Sequence, residues 1–150
     1  MKAYGFGNIV FLVNGVEITG FSDGDDVISI KRRSDLASDK IGADGRMMVS
    51  ISADRSGEVS IKLQQTSGSN KYLNQLAIGQ EVLTTGFTPV LIYLSDVYRG
   101  DVVSGVPGYM KKMPDVNRGE KGQTQEWQFV VENLDVFFSD SPSLESLIGA

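Results

Sequence analysis

An Asn-Gly pair at residues 14 and 15 separates two short β-branched and aromatic runs, Ile9-Val-Phe-Leu-Val13 and Val16-Glu-Ile-Thr-Gly-Phe21. Both central residues of a type I′ turn need positive φ, which Asn and Gly tolerate, so the pair predicts a tight hairpin and an antiparallel start to the fold. The strand pattern persists downstream. Val27 to Lys31 reads as a strand ending in the basic Lys31-Arg32-Arg33. From residue 46, Met47, Val49, Ile51 and Ala53 alternate with Arg46, Met48, Ser50, Ser52 and Asp54. After Arg55-Ser56-Gly57 the alternation resumes, with Val59, Ile61 and Leu63 against Glu58, Ser60, Lys62 and Gln64. This period of two predicts a second hairpin over 46 to 64 with one buried face and one wet face. Residues 34 to 45 follow neither period, carry two glycines, and read as a long loop.

One helix is predicted. In Ser69 to Gly79 the serine stands at a capping position, Tyr72, Leu73, Leu76 and Ala77 recur at helical spacing, and Gly79 can close the last turn. Beyond it, Pro89 to Leu94 reads as a buried strand, and Gln123 to Phe138 as a long one with Trp127, Phe129 and Val131 facing the core. Between them, strand fragments are expected around Val102 and Tyr109, followed by an exposed loop from Met113 to Gly122. The tail after Ser139 carries Leu144, Leu147 and Ile148 at one-turn spacing, a weakly amphipathic turn either frayed or docked on a neighbour. The fold class is therefore mostly β: an antiparallel β-sandwich or partial barrel with one flanking α-helix, in a single domain over residues 1–150.

Composition narrows the function. The chain has neither histidine nor cysteine, which removes disulfides, thiolate nucleophiles, imidazole bases and zinc or haem sites built on those side chains. A net charge of −5 opposes general binding to phosphate backbones or anionic lipid. No stretch approaches the roughly 20 apolar residues of a spanning helix, and the run Ile9 to Val13 is too short and too soon interrupted for a signal peptide.

The chemical constellations are weak. Asp23, Asp25 and Asp26 cluster as a calcium site would, but without EF-hand spacing or its distal glutamate, and Asx residues are common in Gly-containing turns for backbone reasons. Asp54 and Glu58 flank the expected hairpin turn as a carboxylate pair, at a wet tip rather than in a cleft. Gly5-Phe-Gly-Asn lacks the third glycine of a dinucleotide fingerprint and precedes a strand. Lys31-Arg32-Arg33 with Arg46 reads as a basic patch that acidic residues of an identical subunit would match.

The order of four segments carries more information than any one of them: Val16-Glu-Ile-Thr-Gly-Phe-Ser-Asp-Gly-Asp-Asp-Val27, Ile41-Gly-Ala-Asp-Gly-Arg46, Ser52-Ala-Asp-Arg-Ser-Gly-Glu58 and Gln64-Gln-Thr-Ser-Gly-Ser-Asn-Lys-Tyr-Leu73. This set resembles the tail tube proteins of contractile-tailed bacteriophages, over residues 9 to about 80. The resemblance implies a structural virion protein, made in the bacterial host cytoplasm, without enzymatic activity, cofactor, metal or membrane association. It implies hexameric rings that stack into a tube and let DNA pass without specific binding. It also implies partners in the tail sheath, the baseplate and the tail terminator. Within that frame the expected lumen-facing residues are Ser50, Ser52, Asp54, Glu58, Ser60, Lys62 and Gln64, a small polar face that also holds Arg46 and Met48. The expected ring-to-ring contact is the 34 to 45 loop with Asp35, Asp39 and Asp44. Two rival readings are the tube of a phage-derived injection machine and a β-sandwich carbohydrate-binding or adhesion module using Tyr4, Tyr93, Tyr98 and Tyr109.

Overall fold

The computed structural model describes residues 9–24, 27–83, 89–97 and 100–138. Its elements in chain order are β1 (Ile9–Val13), β2 (Val16–Glu17), β3 (Ile28–Arg32), β4 (Ala37–Ile41), β5 (Met47–Ile51), β6 (Gly57–Gln64), α1 (Ser69–Val82), β7 (Val90–Asp96), β8 (Asp101–Lys112) and β9 (Thr124–Phe137). Seven strands form one antiparallel sheet in the order β2-β1-β7-β8-β9-β6-β3, and β4 and β5 form a separate two-stranded sheet.

The first hairpin forms as its sequence demands. Val13 faces Val16 across a turn in which Asn14 (φ 52°) and Gly15 (φ 81°) both take the left-handed conformation. The Asn14 side chain then accepts the Leu91 amide at 2.7 Å, which ties the turn to β7. Phe11 and Val13 on β1, Val59, Ile61 and Leu63 on β6, Ile92 on β7, and Trp127, Phe129, Val131 and Leu134 on β9 share one core with Leu73 and Ala77 of the helix. The alternation of β6 and β9 thus orients both strands as read from the sequence. Trp127 is in the core, its indole N–H satisfied by Asn70 Oδ1 at 3.0 Å.

The helix is longer than its sequence signals suggest. Ser69 is not its cap: Gly68 holds that position without a side-chain bond, because the Ser69 hydroxyl accepts the Thr19 amide at 3.0 Å. Gly79 does not close the helix, which continues to Val82. Three polar contacts fix its position over the sheet. The Gln80 amide both donates to and accepts from the Met110 backbone at 2.9 Å, as a neighbouring strand would. Tyr72 donates its hydroxyl to Val13 O at 3.2 Å, and Asn70 holds Trp127.

Three further expectations need correction. Residues 34 to 45 are not a loop, since they contain β4, paired residue for residue with β5 from Ala37↔Ile51 to Ile41↔Met47. The span 46 to 64 is not a hairpin, since β5 belongs to the small sheet while β6 lies between β3 and β9. Where two strand fragments were expected around Val102 and Tyr109 there is one twelve-residue strand, β8. The tail from Ser139, Asp25 and Asp26, and Tyr4 and Tyr98 lie outside the described residues.

Candidate assembly surfaces

The β4–β5 hairpin stands off the main sheet with every residue of both strands exposed. Directly opposed residues of an antiparallel pair share a face, so Ala37, Asp39, Ile41, Met47, Val49 and Ile51 form one surface and Ser38, Lys40, Met48 and Ser50 the other. The first surface is apolar apart from Asp39, with Val49 60% and Ile51 79% exposed. A two-stranded ribbon is at best marginal in water by itself, and a contiguous apolar surface of this kind is a mark of an interaction site.

The base of the hairpin is built to hold its direction. Ser52 N donates to Leu36 O at 2.9 Å and Arg33 N to Ser56 O at 3.1 Å, so the two connecting segments run together. Between them Asp54 accepts from the Ser34 hydroxyl at 2.6 Å, the Ser56 hydroxyl at 2.6 Å and the Ser56 amide at 2.9 Å. Those bonds stabilise its ionised form and hold its pKa down to about 2. Arg55 pairs with Asp135, Arg55 O accepts the Leu134 amide at 2.8 Å, and Arg32 donates to Leu134 O at 2.8 Å, which ties the base to β9. Gly57 follows where a Cβ would lie 2.4 Å from Leu134 Cδ2 and 3.0 Å from Lys31 O, so only glycine lets β6 approach this closely.

Part of the outward face of the main sheet is polar. Ser29 and Lys31 of β3, Glu58, Ser60 and Lys62 of β6, Lys111 of β8, and Glu126 and Gln128 of β9 line a shallow groove of about 390 Å³. Glu58 sits at its centre, accepting from Lys111 Nζ at 2.9 Å with Lys31 Nζ 3.9 Å away. The bond from Lys111 and the charge of both lysines lower the Glu58 pKa.

Both edges of the sheet are open among the described residues. Lys62 N bonds to Val27 O and Arg33 N to Ser56 O, so the odd-numbered residues of this segment face β6. In an antiparallel ladder the alternate residues then turn their backbone groups the other way, which leaves Ile28, Ile30 and Arg32 to present an unpaired edge.

The family model described as the bacteriophage PhiTE tail tube protein matches residues 1–139. The chain belongs to that family. Solved structures of similar fold include the sheath/tube terminator of an extracellular contractile injection system, PVC, in its extended state (TM-score 0.64, 9% identity, covering 91% of this chain and 98% of that one). The tube-terminating cap of the anti-feeding prophage is also similar (TM-score 0.62, 7% identity, 93% of each chain). So is a chain of the PVC sheath–tube complex in the extended state (TM-score 0.60, 10% identity, 87% of this chain and 88% of that one). No curated protein matches in sequence.

The structure divides the expected lumen set of this tail tube protein. Glu58, Ser60, Lys62 and Gln64 are on β6 in the main sheet, whereas Ser50 is on the hairpin and Ser52 and Asp54 are in the segment at its base. Asp35, Asp39 and Asp44 are spread along the hairpin, at its base, on β4 and in its turn, where Asp44 pairs with Arg46 at 3.9 Å. Asp54 and Glu58 do not act as a pair, since one closes the hairpin base and the other engages lysines of the sheet. Tyr93 and Tyr109 lie on β7 and β8. Sequence reasoning missed the pairing of β4 with β5. The signal available was Gly42-Ala-Asp-Gly45, a short turn flanked by Ile41 and Met47.

Proposed function

We propose that this tail tube protein works as one domain over residues 1–150 in hexameric rings that stack into a tube. Through that tube DNA would pass from capsid to host in a contractile tail. The observation that carries the proposal is the β4–β5 hairpin, an ordered arm whose apolar face has no cover within its own described residues. Burying that face against the next ring would remove it from water. Asp35, Asp39 and Asp44 along the arm would then meet basic groups of the neighbour, the exposed Arg33 among them. The open edges at β2 and β3 supply a second joint, because closing a ring pairs edges that would otherwise template aggregation.

The polar face of β3, β6, β8 and β9 is the surface proposed to line the bore, with Glu58, Ser60, Lys62 and Gln64 on it. Of its three groove-lining lysines, two are engaged by Glu58, which leaves little free positive charge to hold phosphates. In this reading the protein has no chemistry of its own, belongs to the virion after synthesis in the host cytoplasm, and meets sheath, baseplate and terminator proteins along the tail. A second reading, supported by the injection-system structures of similar fold, is the tube of a phage-derived particle that carries no DNA.

Sedimentation velocity and negative-stain microscopy of the purified protein across a concentration series test the assembly. Concentration-dependent rings or hollow tubes of uniform width are expected, and a monomer at every concentration would reject self-assembly. Nuclease-protected DNA in tubes isolated from ejecting particles would separate the first reading from the second.

A further inference from the structure

We propose that Met47 is a modification site, whose oxidation to the sulfoxide by a peroxide switches off the stacking of one subunit on another. The proposal rests on the reading above that the apolar hairpin face is buried between rings. The register of the small sheet separates the two adjacent thioethers of β5. Met47, opposite Ile41 at the turn end of the hairpin, shares the apolar face with Val49 and Ile51, whereas Met48, opposite Lys40, shares the other face with Ser38 and Ser50. Both are open to a reagent in the free subunit, Met47 59% and Met48 67% exposed. Met110 is the internal contrast, being 6% exposed and part of the core.

The thioether sulfur attacks one oxygen of hydrogen peroxide, so that an S–O bond forms as the O–O bond breaks and the other oxygen leaves as water after proton transfer. Sulfur is oxidised to the sulfoxide and the peroxide is reduced to water. The product puts a strongly polar S–O group where the face had an apolar side chain, and burying that group among apolar neighbours opposes association. Ala37, Asp39, Ile41, Val49 and Ile51 hold no sulfur, so Met47 is the place on this face where a mild oxidant acts. The same change at Met48 falls on a face that already carries Lys40 and two serines. Sulfoxide reductases working with a dithiol return the thioether, which makes the change reversible.

The dilute subunit is treated with hydrogen peroxide, freed of it, and compared with untreated subunit for the critical concentration of pelletable polymer. After trypsin, tandem mass spectrometry reads Met47 and Met48 in peptide 47–55 and Met110 in peptide 100–111. Met47 is expected to convert at least about tenfold faster than Met110. Slow conversion of Met47 would overturn the proposal by showing its face covered within the subunit, a readout that needs no polymer. The critical concentration is expected to rise at least about tenfold, as for the loss of one buried apolar side chain, and to return after both epimer-specific sulfoxide reductases have acted. Met47→Leu, a swap that keeps volume and apolarity, should polymerise equally before and after peroxide, whereas Met48→Leu should show the full rise. The reverse pattern, or unchanged polymerisation of a chain with Met47 converted, would overturn the proposal and leave ring stacking intact. Absence of polymer from the untreated chain would reject the stacking itself and the proposal with it.

Discussion

Replacing Val49 and Ile51 together by threonine separates folding from assembly. Threonine keeps the β-branch and hence the strand preference. Both side chains are largely exposed in the free subunit, so the pair should change its stability by only about 0.5 kcal/mol. For a chain of this size that moves Tm by less than about 2 °C. Assembly should respond differently. Each apolar side chain buried between subunits contributes roughly 1.5–3 kcal/mol, and an unpaired hydroxyl taken out of water costs about 1–3 kcal/mol. Taking about 2 kcal/mol per position, the double variant loses about 4 kcal/mol per contact, close to a thousandfold in association. The assay is the critical concentration for pelletable polymer, read beside thermal unfolding of the dilute subunit. An unchanged critical concentration would refute the reasoning. A large fall in the Tm of the free subunit would refute it differently, by showing that the hairpin face is already covered within one chain.

Glu58→Gln should release Lys31 and Lys111 from their common partner. DNA retention by the protein would then rise at low salt, with the slope of log K against log salt steepening by up to about 0.9 per freed lysine; no change would exclude this face from contact with DNA. Asp54 should titrate near pH 2 against an ordinary value of 3.8, so its contribution to the hairpin base is complete above about pH 3.8 and is lost as pH falls through about 2. Carboxyl NMR checks this, and Ser34→Ala should move the midpoint back up; an ordinary midpoint in the unmodified chain would contradict the three hydrogen bonds. Gly57→Ala should destabilise the subunit by about 1–3 kcal/mol in urea unfolding, because its Cβ would enter the space of Leu134 Cδ2. A neutral result would mean that β6 and β9 are less tightly apposed there.

Legibility followed local chemistry. Asn14-Gly15 specifies its hairpin because two adjacent positive φ angles admit few other residue pairs. The alternation of Val59, Ile61 and Leu63 marks a buried face because β6 is central and its inward side is sealed. The alternation of Met47, Val49 and Ile51 is equally regular and identifies the faces of β5 correctly, yet that face is exposed. Periodicity reports which residues share a side, and only the tertiary or quaternary neighbour decides whether the side is buried. β4 was unreadable for the complementary reason. With both faces exposed, Ala37 to Ile41 carries no apolar alternation, and its strand identity comes from the ladder to β5. The regular alternation therefore runs across 46 to 64 although β5 belongs to the small sheet and β6 to the main one. The capping of α1 is not legible locally because Ser69 is engaged by Thr19, fifty residues away, a competitor that no local window contains.

The most direct test of the account is a helical cryo-EM reconstruction of the polymer formed by the purified protein. The account predicts a hollow tube of stacked hexameric rings, with the groove around Glu58, Ser60 and Lys62 facing the bore and the Val49/Ile51 face of each hairpin buried against the adjacent ring. A tube in which the hairpins project freely into solvent, or in which the Glu58 face is turned outward, would contradict it.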